Sequence, residues 1–358
     1  MRRGIWLVLL FAVTGLQAAY TQTGMKAGLI AFYNVENLFD TINSPDVDDI
    51  EFTPQAPKRW NTEKYLDKLD NLAGVISGIG KEEGLPGGPH ILGLCEVENR
   101  NVIEDLVNHN SLAHLNYGIV HYNSRDARGV DVALIYQPDF FTLTASKSYD
   151  LLLTGSSGEE YFTRSQLVVS GLFMNEKMHF IVNHWPSRRS GARASERLRV
   201  AAAQLTRSII DSLQLADRDA KIVVMGDLND DPRDASVRKH LRAIGRESAL
   251  KPGDLFNPME ELFRKGYGTL AYRDRWNLFD QIIVSQSLLG NDYSSLRLLN
   301  ARVYTIEAMT QDDGRFRGYP LRSFVGDQYM AGYSDHFPVY IIIVRGVEGV
   351  EGVEGVAA

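Results

Sequence analysis

Ile222-Val223-Val224-Met225-Gly226-Asp227-Leu228-Asn229, residues 222–229, is an apolar run followed at once by polar side chains. The run Ile222–Met225 predicts a short strand that is covered on both faces. Strands of this kind occur in layered α/β proteins, which place their active sites beyond the strand ends. Asp227 and Asn229 lie two residues apart and are therefore expected on one face. A carboxylate and an amide there can bind a metal or a phosphoryl oxygen, but they equally suit an Asx turn.

Further apolar runs extend this pattern along the chain. They predict strands at Leu29–Tyr33, Ile91–Leu94, Val130–Tyr136, Leu167–Phe173, His179–Val182, Ile282–Val284 and Val339–Val344. Apolar residues at helical spacing between Tyr65 and Ile76, with Asn61 or Thr62 as N-cap, predict one helix, and those between Leu198 and Leu213 predict another. Strands interspersed with helices predict an α/β layered fold.

Composition excludes several classes of protein. The chain has 358 residues, a net charge of −7 and one cysteine, Cys95. A single cysteine excludes an internal disulfide and a cysteine-rich zinc site. An acidic chain cannot hold nucleic acid through its overall charge, so such binding requires a local basic patch. No apolar run reaches the length of a membrane-spanning helix, so we predict no stable membrane insertion. No protein partner can be inferred, and we expect a monomer.

Both ends of the sequence differ from its body. Arg2 and Arg3 precede the apolar run Ile5–Val13, and small residues continue to Ala19. We interpret residues 1–19 as a signal peptide that exports the protein to the periplasm or the extracellular space, the alternative being a first strand or helix. Residues 346–358 repeat Gly-Val-Glu and predict a low-complexity, disordered tail. A single domain, residues 25–345, lies between these segments.

Polar side chains also gather at other predicted strand ends. They occur in Asn34-Val35-Glu36-Asn37, Cys95-Glu96-Val97-Glu98-Asn99, Asn183-His184-Trp185 and Ser334-Asp335-His336. Turn chemistry alone does not require so many Asn, Glu, Asp and His residues at strand ends. Other acids in these stretches, Glu36, Glu98, Asp230 and Asp231, are expected to be turn or surface residues.

Seven of these segments, in order, resemble the endonuclease/exonuclease/phosphatase superfamily, the deoxyribonuclease-I-like phosphodiesterases. The matching pieces are FYNVEN, LGLCEVEN, RGVDVALIY, IVNHWPS, VVMGDLNDDP, LFDQIIVS and YSDHFPV, between residues 32 and 339. The resemblance implies a four-layer α/β/β/α sandwich, with two mixed sheets packed face to face. It also implies exported bacterial nucleases as the nearest kind of relative. Cys95 departs from the pattern, because Gln is usual there.

The resemblance assigns the metal site. Glu96 is similar to the family's principal metal ligand, with Asn34 beside it and Asp335 as a further ligand or supporting carboxylate. Oxygen donors without a thiol cluster suit hard cations, so Mg²⁺ or Mn²⁺ is expected.

The resemblance also assigns the acid–base groups. His336 matches the catalytic histidine, oriented by Asp280, and His184 matches a second histidine with Asp131 as its expected partner. Asp227 would activate water or bind metal, and Asn229 would contact the scissile phosphate. Phosphodiester hydrolysis needs an activated water, charge stabilisation and help for the leaving oxygen, and this set supplies all three.

Substrate class depends on a cluster of arginines after His184. Arg188 and Arg189 are expected beside the active site, where their planar guanidinium groups suit phosphates of a nucleic acid. Arg197 and Arg199 are expected in a solvated helix start. We therefore predict a metal-dependent endonuclease acting on DNA or RNA. The alternatives are a lipid or small-molecule phosphodiesterase or phosphatase, similar to sphingomyelinases or inositol phosphatases, and a binding module without catalysis.

Overall fold

The computed structural model describes residues 24–155, 157–189 and 191–347. The predicted signal peptide and residues 348–358 of the predicted tail lie outside these ranges. Among the described residues, no helix is both long and apolar enough to cross a membrane.

The described residues form strands and helices that alternate along the chain. The first strands are β1 (Met25–Leu38), β2 (Ile91–Val97), β3 (Gly118–His121), β4 (Asp131–Tyr136), β5 (Phe141–Thr154), β6 (Glu160–Phe173), β7 (Glu176–His184) and β8 (Lys221–Asp227). The others are β9 (Ala243–Ile244), β10 (Leu255–Phe256), β11 (Leu270–Tyr272), β12 (Arg275–Asn277), β13 (Asp280–Ser285), β14 (Arg297–Val303), β15 (Phe324–Val325), β16 (Gln328–Tyr329) and β17 (Val339–Gly346). The α-helices are α1 (Thr62–Gly78), α2 (Arg100–Val107), α3 (Ala192–Ala216) and α4 (Met259–Arg264). Short 3-10 helices span Ile50–Phe52, Lys81–Glu83, Ala113–Leu115, Glu247–Ala249, Gln286–Leu288 and Glu307–Met309, and a π-turn spans Ser236–His240.

Two large mixed sheets carry the fold. One has the strand order β14-β17-β1-β2-β4-β3, and the other has the order β5-β6-β7-β8-β13-β10-β9. Alternate residues of each central strand enter different cores, as the two-residue period of a strand requires. On β1, Leu29 and Tyr33 pack with α1 and α2, whereas Ile30 and Phe32 pack against the second sheet. On the far side, the second sheet packs against α3. The predicted four-layer α/β/β/α sandwich is confirmed.

The predicted strands fall within observed strands except at Val130, which directly precedes β4, and helix α1 begins with Asn61 accepting a hydrogen bond from the Lys64 amide. Strand β5 was not predicted. It pairs along one edge only with β6, and most of its side chains are exposed or half-buried. Its sequence therefore lacks the continuous apolar run by which buried strands are recognised.

His90 precedes β2 and lies outside the group of polar residues at the strand ends. Its burial makes the free energy of unfolding depend on pH. Its Nδ1 accepts the Leu29 amide at 2.9 Å, and its ring stacks on Phe140. Burial lowers the pKa of His90 from 6.5 to about 4. The pKa of His90 is lower in the folded state than in the unfolded state. The buried neutral ring therefore contributes its full share of the unfolding free energy above pH ~6.5, and this share is lost as pH falls towards about 4.

We expect His90→Asn, which keeps an acceptor near the position of Nδ1 but cannot titrate, to flatten the fall in unfolding free energy over that window. The difference from wild type should approach about 3 kcal/mol, from ~1.4 kcal/mol per pKa unit. Urea unfolding at a series of pH values measures it, with exposed His114→Asn as the control. Parallel curves for wild type and His90→Asn would contradict the assignment.

Candidate active site

The predicted site residues converge at one edge of the sandwich. The regular parallel pairing of β1 with β2 ends there beside Asn34 and Glu96, and parallel strands β7 and β8 end there at His184 and Asp227. Strand β13 runs antiparallel to β8 and begins at this edge with Asp280 opposite Asp227. Asp335 and His336 lie four and three residues before β17. Both sheets therefore contribute to one group of polar side chains.

Asp227 lies at the centre of this group. Its Oδ2 accepts a hydrogen bond from Asn34 Nδ2 at 3.1 Å and lies 3.7 Å from His184 Nε2 and 3.9 Å from His336 Nε2. Gly226 allows the close approach of β7, because a Cβ there would lie 2.4 Å from the Asn183 carbonyl oxygen. Burial raises the pKa of Asp227 to about 7, with the charges of Asp280 and Glu96 adding to the effect and His336 opposing it. Asp227 is thus poised to exchange a proton near neutral pH.

His336 and Asp280 form a buried pair, with Nδ1 and Oδ2 at 2.6 Å. Burial by itself lowers the pKa of His336, but the charges of Asp280 and Asp227 outweigh burial and hold that pKa well above its ordinary value. The ring is therefore an imidazolium whose Nε2 remains directed at Asp227 and Asp335. The structure brings together the pair that the sequence predicts, and the imidazolium can donate a proton.

His184 has the opposite electrostatic environment. Its Nε2 lies 3.8 Å from Glu96 Oε1, and its Nδ1 is buried without a hydrogen-bond partner among the described residues. Burial, reinforced by the positive charges of Arg164 and Arg128, lowers the pKa of His184 well below its ordinary value. Two imidazoles in one site, one neutral and one charged, can act as acceptor and donor respectively.

The expected pairing of His184 with Asp131 is wrong. Asp131 Oδ2 instead contacts His121 Nε2 at 2.9 Å, and its Oδ1 accepts the Ser124 amide at 2.8 Å. In the β3–β4 ladder His121 lies opposite Ala133, two residues from Asp131, so the two side chains are diagonal neighbours on one face. Asp131 therefore organises the chain after β3 and does not orient His184.

Glu96 reaches the site through an irregular backbone. Its φ of 62° is in the left-handed region, and the β2–β4 register shifts between Cys95 and Val97. A bulge of this kind redirects a side chain. Glu96 Oε2 accepts the Asn37 amide at 3.0 Å, whereas Oε1 faces His184.

The residues present fit a divalent cation. Glu96, Asp227 and Asp335 supply carboxylate oxygens and Asn34 supplies an amide oxygen, the donors that Mg²⁺ and Mn²⁺ prefer. Asp227, Asp280 and His336 also offer ligand atoms within 4.8 Å of one another. That second set suits a metal less well, because Asp280 Oδ2 and His336 Nδ1 already bind each other at 2.6 Å. Glu96 with Asn34 therefore remains the predicted centre of the metal site.

Asp335 forms an ion pair with Arg322. Arg322 Nη2 donates to Asp335 Oδ2 and Arg322 Nε lies 3.5 Å from Glu36 Oε1, while Asp335 Oδ1 lies 3.9 Å from His336 Nε2. Only Oδ1 is left to take the predicted role in metal binding. Burial raises the pKa of Glu36 to about 7, with the charge of Asp335 adding to the effect.

Three of the acids expected at the surface, Glu36, Glu98 and Asp230, are buried, and Asp231 is half-buried. Each accepts a hydrogen bond from a chain segment distant from it or from the following turn, so these acids brace the site loops.

Hydrogen bonds from both its backbone and its side chain hold Asn229 in place. Its backbone φ is 50°, its amide N–H donates to Asp227 Oδ1 at 2.9 Å, and its Nδ2 donates to the Trp185 carbonyl at 3.0 Å. Arg188 Nε donates to the Asn229 carbonyl at 2.7 Å. One N–H of the Asn229 side-chain amide is left for a substrate oxygen.

Arg188 does not have the role predicted for it. Its Nη2 contacts Asp230 Oδ1 at 2.7 Å and Asp234 Oδ2 at 2.6 Å, so its charge is neutralised within the protein. Arg199, expected to be solvated, is buried and reaches Asp230 at 2.6 Å. Arg189 differs from Arg188, because it is exposed and close enough to contribute to the lowered pKa of His184. Of the predicted pair, Arg189 alone remains a candidate for phosphate contact.

The sequence-based interpretation missed Arg164. It is buried, donates to the Trp185 carbonyl at 2.8 Å, and pairs with Asp126 at 3.1 Å. An arginine directly before the apolar run Leu167–Phe173 was the available signal, because a buried charge needs a partner. Arg322 and the buried Lys68 gave no comparable signal.

The sandwich carries buried acid–base groups at its strand ends, an arrangement that suits hydrolysis. The model of the Endonuclease/Exonuclease/phosphatase family matches residues 29–345, and the chain belongs to this family. Its members hydrolyse phosphoester bonds, as phosphodiesterases or phosphatases, and generally use divalent metal ions.

Solved structures agree on the fold. A Bacteroides thetaiotaomicron protein of the same family is 17% identical, with 92% of this chain and 99% of that chain covered and a TM-score of 0.54. TDP2 of D. rerio, complexed with a single-strand DNA product, is 14% identical, with 88% and 98% covered and a TM-score of 0.52. A Bacteroides thetaiotaomicron mannosyl-6-phosphatase is 16% identical, with 88% and 99% covered and a TM-score of 0.51. No curated protein sequence matches the chain.

Proposed function

We propose that the protein is an exported, divalent-metal-dependent nuclease that hydrolyses phosphodiester bonds of DNA or RNA. The observation that carries the reaction type is a pair of imidazoles, one neutral and one protonated, with His184 Nε2 at 3.7 Å and His336 Nε2 at 3.9 Å from Asp227 Oδ2. A nucleic-acid substrate is supported by Arg189 and Arg128, whose charges reach His184, and by the DNA complex of TDP2. Export follows from the N-terminal sequence.

Each side chain has a defined task in this proposal. Asp227 orients the attacking water and accepts its proton, since a pKa near 7 suits a general base at neutral pH. His336 donates from Nε2 to the leaving oxygen, and Asp280 keeps it protonated. His184 and Asn229 direct neutral hydrogen-bonding groups towards the phosphoryl oxygens. A divalent ion on Glu96 and Asn34 supplies charge stabilisation when bound.

A panel of substrates tests the proposal. Plasmid DNA, RNA, sphingomyelin, an inositol phosphate and mannose 6-phosphate are compared with Mg²⁺, with Mn²⁺ and with EDTA. We expect cleavage of nucleic acid in either metal and none in EDTA. Release of phosphate from mannose 6-phosphate alone would replace the nuclease with a sugar phosphatase, and turnover of sphingomyelin alone would replace it with a lipid phosphodiesterase.

Single substitutions of Arg188 and Arg189 should distinguish substrate binding from the positioning of Asn229. Arg189→Ala is expected to raise KM for nucleic acid and to reduce the slope of log KM against log salt by about one, because one phosphate contact is lost. Arg188→Ala should lower kcat about tenfold or more on nucleic acid and on bis(p-nitrophenyl) phosphate alike, since it holds the Asn229 backbone.

The control for both is Arg218→Ala, an exposed arginine between α3 and β8, at the opposite end of the sheet from Asp227. Steady-state kinetics across a salt series measure the effects. If Arg189→Ala altered both substrates equally, Arg189 would serve the chemistry or the fold and would not bind a flanking phosphate.

A further inference from the structure

A tight hairpin lies beside the His336–Asp280 pair. Strands β11 and β12 are joined by Arg273 and Asp274, whose φ values of 50° and 60° form a two-residue turn in the left-handed region. Thr269, next to β11, accepts the Phe337 amide at its carbonyl and contacts the Asp280 amide through Oγ1. The hairpin is therefore attached to Asp280 and to the residue that follows His336.

Aromatic rings cover this hairpin and the neighbouring segment 311–319. Trp276 stacks on Phe337, the residue after His336, with ring centroids 6.0 Å apart and planes 20° apart. Tyr319 lies 5.5 Å from Trp276, and Phe316 lies 5.5 Å from Tyr319. We call Trp276, Phe316 and Tyr319 the aromatic platform.

The aromatic platform is open to solvent at its outer rings. Phe316 is 45% exposed and Trp276 37%. Asp274 joins the two segments, since it pairs with Arg315 at 2.7 Å and accepts the Tyr319 hydroxyl at 3.0 Å. The rings therefore share one connected surface whose outer faces can stack on a ligand.

Arginines surround the aromatic platform. The charged side chains on its two segments are Arg273, Asp274, Arg275, Asp312, Asp313, Arg315 and Arg317, an excess of one positive charge in a chain of net charge −7. Arg315 is paired with Asp274 and lies over the Phe316 ring at 5.6 Å, whereas Arg317 forms no ion pair within the described part of the chain. Tyr272 and Arg275 are partners in the β11–β12 ladder and lie on the other face of the hairpin from Trp276. Rings interleaved with guanidinium groups suit a ligand that offers both flat rings and phosphates.

We propose that the aromatic platform binds unpaired bases of a nucleic-acid strand next to the scissile phosphodiester, so that single strands are bound better than duplexes. This inference rests on the proposed function and adds the form of substrate. Unpaired bases offer free faces for stacking, whereas bases in a duplex are already stacked on each other. The arginines contact the phosphates between those bases. A lipid surface is less well matched, because the rings are not set in a continuous apolar surface.

The test compares hydrolysis of a single-stranded oligonucleotide with hydrolysis of its duplex, in Mg²⁺. For Phe316→Ala/Tyr319→Ala we expect KM for the single strand to rise about tenfold or more, and KM for the duplex to change far less. Arg317→Ala keeps the rings and should reduce the salt dependence of KM instead. Leu215→Ala and Arg218→Ala are matched controls at the opposite end of the fold, and thermal unfolding verifies that each variant is folded.

The outcomes separate the two proposals. Wild-type protein that cleaves nucleic acid, with both variants indistinguishable from it, would overturn the aromatic platform and leave the proposed function standing. Wild-type protein that cleaves no nucleic acid would overturn the proposed function itself. Loss of binding to sphingomyelin vesicles by Phe316→Ala/Tyr319→Ala, with oligonucleotide KM unchanged, would assign this surface to a membrane and overturn the inference.

Discussion

Glu96→Gln is expected to lower kcat for phosphodiester hydrolysis by about a thousandfold while the protein remains folded. The substituted amide keeps an oxygen that can accept the Asn37 N–H, so the bulge at the end of β2 is preserved. It removes the negative charge that we predict binds the metal. Charge stabilisation by a metal contributes several kcal/mol to a transition state, and ~1.4 kcal/mol corresponds to tenfold in rate.

Metal binding can be measured without turnover. Mg²⁺ or Mn²⁺ should raise the thermal unfolding temperature of wild type and should have a much smaller effect on Glu96→Gln. Glu98→Gln is the matched control, because Glu98 is buried just beyond the end of the same strand and accepts hydrogen bonds from Asp40 and Ser44 instead. Full turnover in EDTA, or an equal metal response in both variants, would refute the site at Glu96.

His336→Ala should lower kcat by about 10²–10⁴-fold, the usual contribution of a positioned acid or base. Asp280→Asn should cause a smaller loss and move the alkaline limb of the pH–kcat profile to lower pH. The direction follows from the charge of Asp280, which keeps the pKa of His336 high, so that without it the donor loses its proton at lower pH. The double variant should be far less impaired than the sum of the two losses, because both act through one imidazole.

A second buried histidine–aspartate pair provides the control. His121 and Asp131 lie 2.9 Å apart at the end of the neighbouring strands, and neither contacts Asp227 or Glu96. His121→Asn should therefore leave the pH–kcat profile in place. Near-normal kcat in His336→Ala would show that another group donates the proton, even though the fold is the one described.

Much of the site could be predicted from the sequence because parallel strands place their carboxyl ends at the same edge. Asn34, Glu96, His184 and Asp227 each follow a buried apolar run, and that position alone brings them together. The pairing of His336 with Asp280 needed the family resemblance, since 56 residues separate them in the sequence.

Contacts that depend on register or on surface ion pairs could not be predicted in this way. Asp131 pairs with His121 because of a diagonal relation between β3 and β4, which only the register fixes. The sequence does not reveal that Arg188 is ion-paired with Asp230 and Asp234, which lie in the turn after β8. The β11–β12 hairpin has strands of three residues, too short to give a periodic signal.

The position of β17 determines when activity can arise during synthesis. This strand lies inside the first sheet, between β14 and β1, and His336 lies three residues before it. A nascent chain that has not yet emerged from the ribosome past residue 346 lacks an interior strand of one sheet and cannot hold His336 against Asp280. Catalysis therefore begins only after β17 has been made, and translation products truncated before it are inactive. For the nuclease that we propose, this order of assembly delays cleavage of nucleic acid until β17 is in place.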